Sequence, residues 1–181
     1  MKIAQQLKEK NIAEYLIYMW QVEDLLRANG CDIDRIRQNI ILRYPEEERP
    51  ALEEWYGNLA DMMRAEGVTE KGHLQINRNV ILNLTELHGE LLASTKYPFY
   101  NAAYFKALPF IGERRQKSGR KEEPEVDTCF EALYGVLLLR LQKKEISQGT
   151  AKAMEAISGF VSLLANYYDK EKRGELELMD N

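Results

Sequence analysis

Apolar side chains recur at steps of three and four residues along almost the whole chain, and this spacing constrains the fold more than any other feature. In an α-helix with 3.6 residues per turn, such steps place the apolar side chains on one face. The chain has no run of alternating β-branched residues bounded by turn residues, which would indicate a strand. The sequence therefore predicts an all-α fold, a single-domain antiparallel bundle of six to seven helices joined by short connections.

Turn and capping residues divide this pattern into separate helices. Asn29-Gly30 ends the first predicted helix, and Pro45 ends the second. Side-chain caps are predicted at Thr69 for the fourth helix and at Ser147 for the last. The predicted helices span about 3–28, 32–44, 47–66, 69–94, 98–115, 126–144 and 147–170.

Three further expectations concern the interiors of these helices. Pro109 lacks an N–H and its ring clashes with the carbonyl four residues back, so a kink or break is predicted near Leu108. Gly135 and Gly159 fall at about the same level on the last two helices, which predicts a close crossing there. The buried stripe of the third helix is predicted to be Leu52, Trp55, Leu59 and Met62.

Length and charge indicate one soluble domain. Residues 1–170 are predicted to form it, with a mobile loop at about 116–125 and a charged, disordered tail at 171–181. The longest apolar run, residues 132–139, is too short to cross a bilayer, which needs roughly 20 residues. Net charge is −4, with 25 basic and 29 acidic residues interspersed. The charged N-terminal segment does not resemble a secretion signal, so no membrane association and a cytoplasmic location are expected.

The chain contains no motif that would define an active site, a metal site or a cofactor site. Cys31 and Cys129 are far apart in sequence and form no C-x-x-C pair, so both are expected to be free thiols. Glu70 and His73 have the Glu-x-x-His spacing of di-metal helical bundles, but Thr85 takes the place of the second Glu before His88. No catalytic residue, metal or cofactor is therefore predicted, and enzymatic activity has no support in the sequence.

Two polar residues, Asn77 and His88, fall on the apolar stripe of the fourth predicted helix. Buried polar groups need hydrogen-bonding partners, so either a structural network or a ligand pocket between helices is expected. The acidic residues proposed as partners lie on the first helix: Glu14, Glu23 and Asp24. The residues proposed to edge the pocket are His73, Asn77, His88, Tyr100 and Tyr104.

Aromatic residues between 97 and 110 are followed by a group of cations. Such an arrangement can bind single-stranded nucleic acid by stacking and charge. Glutamates at 122, 123 and 125 offset these cations and the chain as a whole is acidic, so nucleic acid is not the expected partner. The basic residues concerned are Arg114, Arg115, Lys117, Arg120 and Lys121.

The predicted helix at 126–144 is apolar on nearly all sides around residues 136–139. Such a helix is either central in the bundle or part of a subunit interface. The leading functional hypothesis is a non-enzymatic interaction or regulatory protein that forms a homo-oligomer, such as a homodimer, through this helix, with a different protein partner left open. The alternatives are a small-ligand binder or enzyme using the pocket, and then a single-stranded nucleic-acid binder using the basic loop.

Four stretches of the chain carry a resemblance to a known family. They are NIAEYLIYMWQVED at 11–24, KGHLQIN at 71–77, KALPF at 106–110 and LYGVLLLRLQKKEIS at 133–147. Together they resemble a bacterial family that is described only as a domain of unknown function and has about this length. The resemblance covers nearly the whole chain except the charged tail. It implies a single-domain bacterial protein of the cytoplasm, and no activity, cofactor or catalytic residue.

Overall fold

The computed structural model describes residues 2–178, and over that range the chain has eight α-helices and no strand. Two short 3₁₀ turns, Ile41–Arg43 and Glu46–Glu48, precede the fourth helix. The all-α prediction is confirmed, with a helix count one above the expected range. The helices are α1 (Lys2–Lys10), α2 (Ile12–Ala28), α3 (Ile33–Asn39), α4 (Arg49–Ala65), α5 (Gln75–Ala93), α6 (Pro98–Ser118), α7 (Glu125–Leu141) and α8 (Gln148–Lys172).

The additional helix arises because the first predicted helix is divided at Asn11. The Oδ1 atom of Asn11 accepts a hydrogen bond from the backbone N–H of Ala13 at 3.0 Å. This is the way an N-cap asparagine starts a helix, because it satisfies an N–H that has no intrahelical acceptor. The prediction of one helix over 3–28 was therefore wrong, since it followed the apolar pattern and did not weigh Asn11 as a cap.

The start of α5 was also predicted wrongly. Residues 69–74 are irregular, and Gly72 has a φ of +90°, which a right-handed helix does not allow. Thr69 therefore does not cap this helix. The backbone N–H of Gln75 instead donates to Glu66 Oε2 at 2.8 Å, so an acidic side chain from the end of α4 performs the capping.

The remaining helix predictions had mixed outcomes. The hydroxyl of Ser147 accepts from the N–H of Thr150 and caps α8, as predicted. The break predicted near Leu108 is wrong, because helix α6 continues through Pro109; a kink there stays a prediction. The prediction that the last two helices cross closely at Gly159 is wrong, because a Cβ atom placed at this residue would have no neighbouring atom within 4 Å. The buried stripe of α4 is shifted by one residue at two positions: Leu52, Tyr56, Leu59, Ala60 and Met63.

Contacts between Cα atoms divide the chain into two compact units, and each has its own core. The first consists mainly of Glu14–Val80 together with α1, and α3 packs against α4 within it. The second consists mainly of the chain from Ile81 onward, and α8 packs most extensively against α6 and also contacts α7. Large, fully buried side chains of the first unit are Leu16, Leu26, Ile36, Ile41, Met63 and Leu74. Those of the second unit are Leu84, Leu87, Leu91, Tyr100, Phe130 and Phe160.

The irregular segments that correspond to the predicted loop and tail begin later than expected, because α6 extends to Ser118 and α8 to Lys172. Helix α6 extends to Ser118, so the irregular segment that follows it covers only 119–124. Beyond α8, the carbonyl of Glu177 accepts a hydrogen bond from the Tyr97 hydroxyl at 2.6 Å. Residues 179–181 of the predicted tail lie outside the described residues. None of the helices described is both long enough and apolar enough to cross a membrane.

Candidate functional site

A fully buried carboxylate, that of Glu23, lies on one face of α2 in the first unit. Trp20, Glu23 and Arg27 are spaced three and four residues apart and therefore point to the same side of the helix. A carboxylate with no access to water is costly unless hydrogen-bond donors surround it. The side chains and backbone at the start of α5 provide those donors.

Three groups donate hydrogen bonds to Glu23. The Nδ1 of His73 lies 2.6 Å from Oε2, and a carboxylate can only accept, so this imidazole nitrogen carries the proton. The backbone N–H of Leu74 and the side-chain Nδ2 of Asn77 both donate to Oε1, at 3.0 and 2.7 Å. Glu23 thereby joins α2 to the first turn of α5, where N–H groups lack intrahelical acceptors.

Trp20 and Arg27 hold the surrounding chain in place. The indole ring of Trp20 stacks on the His73 imidazole, with centroids 4.1 Å apart and planes inclined by 10°. Arg27 donates to the carbonyls of Val68 and Gly72 and to Asp24 Oδ1, and its guanidinium lies 4.0 Å from Glu23 Oε2. The irregular segment before α5 is therefore tied to α2 by both charge and stacking. The Oδ1 of buried Asn77 has no hydrogen-bond partner within the range that the structure describes.

A second polar cluster surrounds His88 in the second unit. The imidazole is 7% exposed, and its Nδ1 lies 2.6 Å from the hydroxyl of Tyr100. Its Nε2 lies 3.6 Å from Glu125 Oε2, at the first residue of α7. The rings of Tyr104 and Phe160 contact the imidazole edge-on, with centroids 4.9 and 5.3 Å away.

The environment of His88 favours a neutral imidazole. Burial lowers its pKa below the usual value, and the nearby Glu125 carboxylate offsets this only in part. Because Nε2 faces a carboxylate, we place the proton on Nε2, so that Nδ1 accepts from the Tyr100 hydroxyl. Burial also raises the pKa of Tyr100, and it raises that of Tyr104 to about 12.

Cys129 is the remaining reactive group of this cluster. Burial, reinforced by the charge of Glu125, raises the pKa of its thiol far above the ordinary range. The thiolate is the nucleophilic form of cysteine, so this residue is kept in its unreactive form. The His88 cluster therefore resembles a satisfied structural network more than a catalytic centre.

The residues proposed for one pocket thus fall into two groups. His73 and Asn77 meet Glu23 in the first unit, whereas His88, Tyr100 and Tyr104 meet one another in the second. Of the three acids proposed as partners, Glu23 accepts from both His73 and Asn77, and Asp24 pairs with Arg27. Sequence reasoning missed four members of the two clusters: Trp20, Arg27, Glu125 and Phe160. The spacing of Trp20 and Arg27 around Glu23 could have indicated the first two.

The surface of the described residues includes two clefts that none of the five proposed pocket residues lines. One has a volume of about 440 Å³ and is lined by Gly112, Arg115, Gln116 and Lys121. The other has a volume of about 290 Å³ and lies between α5 and α8. Three carboxylates line the second cleft, and burial together with Glu90 and Glu86 raises the pKa of Glu171. No group of acidic, histidine and cysteine side chains suited to a metal ion occurs among residues 2–178.

Several of the predicted nucleic-acid-binding cations are paired with acidic side chains. Arg120 forms a bidentate ion pair with Glu131, with distances of 2.7 and 2.8 Å, and also contacts Glu123. Lys117 pairs with Glu113 at 2.7 Å. These pairs leave less positive charge at the end of α6 than the sequence suggests, which argues against a track for a nucleic-acid backbone.

The outward face of α7 is acidic in its N-terminal half and apolar in its C-terminal half. The first half of the helix is buried on most sides, at Val126, Thr128, Cys129 and Phe130. In the second half only Ala132 and Val136 are buried, so the side opposite them is turned away from the core. Leu138 is half-buried there and Leu141 is 63% exposed. The outward positions follow a spacing of four and three residues: Asp127, Glu131, Tyr134, Leu138 and Leu141.

Comparison with known proteins identifies a family and no activity. The model of the family described as "Domain of unknown function (DUF4924)" matches residues 1–175. No curated protein and no solved structure matches the chain significantly.

Proposed function

The chain belongs to the family described as domain of unknown function DUF4924, and we propose that it is a non-enzymatic interaction protein that self-associates through α7. The observation that carries this proposal is the outward stripe of α7. Its steps of four, three, four and three residues are those of a seam between two packed helices. The large apolar residues of this face are Leu138, which is half-buried, and Leu141, which is 63% exposed. An apolar surface of this kind favours contact with another helix.

The occupant that we propose for this surface is the α7 helix of a second copy, in an antiparallel arrangement. The N-terminal half of the helix carries Asp127 and Glu131 on the outward face, whereas Arg140 closes its last turn and Lys143 and Lys144 follow. Two such helices related by a two-fold axis place the acidic half of each against the basic end of the other, although Glu131 already pairs with Arg120 of its own chain. A two-fold interface needs a surface that is complementary to itself, and this distribution of charge provides one.

Sedimentation equilibrium at tens of micromolar protein tests the proposal. We expect a dimer for the unaltered protein. Leu141→Glu introduces a charge into the apolar half of the stripe and places it against the partner's acidic half, so it is expected to give a monomer.

The matched control is Leu82→Glu on α5, because Leu82 is 59% exposed and therefore comparable in accessibility. It is expected to leave the dimer intact. A protein that is monomeric at these concentrations, or one whose dimer survives Leu141→Glu, contradicts the proposal.

We further propose that the protein acts in the cytoplasm. Cys31 and Cys129 are both buried and free. Unpaired thiols are usual in a reducing compartment, where disulfides rarely persist. Fractionation of the native host cells, followed by detection with an antibody, tests this; recovery outside the cytoplasm would contradict it.

A further inference from the structure

The cleft at the end of α6 is lined by groups that suit an anion. Its volume is about 440 Å³, and it is a shallow depression that is largely open to solvent. The lining consists of the guanidinium of Arg115, the amide of Gln116, the ammonium of Lys121 and the bare backbone of Gly112. No acidic side chain lines it.

Arg115 is unusual because it is half-buried without an acidic partner. Its Nη2 donates to the backbone carbonyl of Glu123, across the turn that follows α6. Its Nε is buried and has no hydrogen-bond partner in the part of the chain that is described. The nearby Glu125 carboxylate is hydrogen-bonded to Tyr104. Partly buried charges are normally paired, and the accessible part of this guanidinium faces the cleft without a carboxylate beside it.

The neighbouring cations make the contrast clear. Lys117 and Arg120 each have a carboxylate within ion-pair distance, at 2.7 Å in both cases. Among the described residues, neither Arg115 nor Lys121 has such a partner. Arg114 also lacks such a partner in the described part of the chain, but it does not line the cleft.

We propose that this cleft binds a phosphate group, either as inorganic phosphate or as the end of a small phosphorylated metabolite. Arg115 and Lys121 supply charge, and Gln116 supplies an amide donor. Arginine and lysine both bind phosphate through charge-assisted hydrogen bonds. A small anion fits better than a nucleic acid, because Lys117 and Arg120 are already paired with carboxylates and interrupt the path that a backbone would follow. The proposal does not depend on self-association through α7.

Titration of the ¹⁵N-labelled full chain with inorganic phosphate, followed by NMR, tests the site. Saturable shifts are expected at the amides of Gly112, Gln116 and Lys121. Lys121→Gln is expected to weaken binding about tenfold, which corresponds to the loss of one charged hydrogen bond. Lys117→Gln is the matched control, because it removes an equal charge from a nearby lysine that is already paired with Glu113. It is expected to leave the affinity for phosphate unchanged.

A second variant blocks the cleft without removing charge. A Cβ at Gly112 would meet no atom within 4 Å, so Gly112→Leu can fill the space while the helix persists. It is expected to abolish the saturable shifts. The proposal is overturned if phosphate causes no saturable shift, or if Lys117→Gln and Lys121→Gln weaken the affinity for phosphate equally. It is also overturned if a single-stranded oligonucleotide binds at the cleft and phosphate does not.

Discussion

At the scale of single residues, the molecule depends on polar groups placed inside an apolar interior. Glu23 is the clearest case, since a carboxylate without exposure to water accepts from His73, Leu74 and Asn77. The cost of burying the charge is offset only while all three donors are present. This makes the residue sensitive to a change that preserves its shape.

Glu23→Gln is expected to lower the free energy of unfolding by about 2 to 4 kcal/mol, because its NH₂ group would face another donor. Urea denaturation followed by circular dichroism measures the effect. Glu54→Gln on the exposed surface of α4 serves as the control and should change stability by less than about 0.5 kcal/mol. Equal stability of the two variants would show that Glu23 is not a buried acceptor.

The lowered pKa of His88 predicts how the stability of the protein depends on pH. Its pKa in the folded protein lies below the ordinary value, so the unfolded chain takes up a proton first as the pH falls. The stability that the neutral imidazole contributes is therefore complete above about pH 7 and is lost as the pH falls through about 6.5.

Urea denaturation at about pH 7.5 and about pH 5.5 should reveal a loss of stability that is smaller in His88→Phe. The phenyl ring can occupy the space between Tyr104 and Phe160 but cannot be protonated. A wild-type protein that gains stability on acidification relative to this variant would mean that the ion pair with Glu125 outweighs burial.

The sequence identified the polar residues of these clusters but not their partners. Asn77 and His88 were found because they interrupt an apolar stripe, and this requires only helical periodicity. Glu14, Glu23 and Asp24 could not be distinguished, because each is an acidic residue on the same helix. Only the rotation of α2 against the start of α5 decides that Glu23 is the acceptor, and this rotation depends on packing between distant parts of the chain.

At the scale of helices, the ends were harder to predict than the middles. The apolar pattern located all the long helices, since it reflects which side faces the core. It did not detect the break at Asn11 or the late start of α5, because capping by Asn11 and Glu66 depends on single hydrogen bonds. Tyr56 and Met63 replace Trp55 and Met62 in the core of α4 because a small rotation of a helix exchanges adjacent residues.

Helix α8 offers a test of capping. Ser147→Ala removes the acceptor for the N–H of Thr150 and should lower the free energy of unfolding by about 1 kcal/mol. Ser158→Ala on the exposed middle of the same helix is the control, and its effect should be neutral or slightly stabilising. A result in which both substitutions cost the same would remove the capping role of Ser147.

Glycine substitutions separate helix propensity from backbone strain. Gly159 lies inside α8 with open space around a Cβ, so Gly159→Ala should raise the free energy of unfolding by about 0.5 to 1 kcal/mol. Gly119 ends α6 at a φ of +73°, so Gly119→Ala should be destabilising. If Gly159→Ala lowered the free energy of unfolding instead, this would indicate that another helix packs closely against Gly159.

At the scale of the whole molecule, self-association links stability to concentration. A dimer that forms only between folded chains is stabilised by mass action, so its thermal midpoint rises with protein concentration. We expect this rise for the unaltered protein and its absence for Leu141→Glu. Differential scanning fluorimetry over a hundredfold range of protein concentration measures the midpoint. At a concentration 100 times Kd, association stabilises the folded protein by about 3 kcal/mol. A midpoint that is independent of concentration in both proteins contradicts the dimer.

The free thiols provide built-in reporters for how each unit opens. Cys31 lies in the first unit and Cys129 in the second, and both are inaccessible to solvent. Burial raises the pKa of both thiols, although Arg27 and Arg64 oppose the effect at Cys31. An alkylating reagent can therefore attack either one only after its surroundings unfold. Mass spectrometry of the two labelled peptides over time would give a separate opening rate for each unit, without any introduced probe.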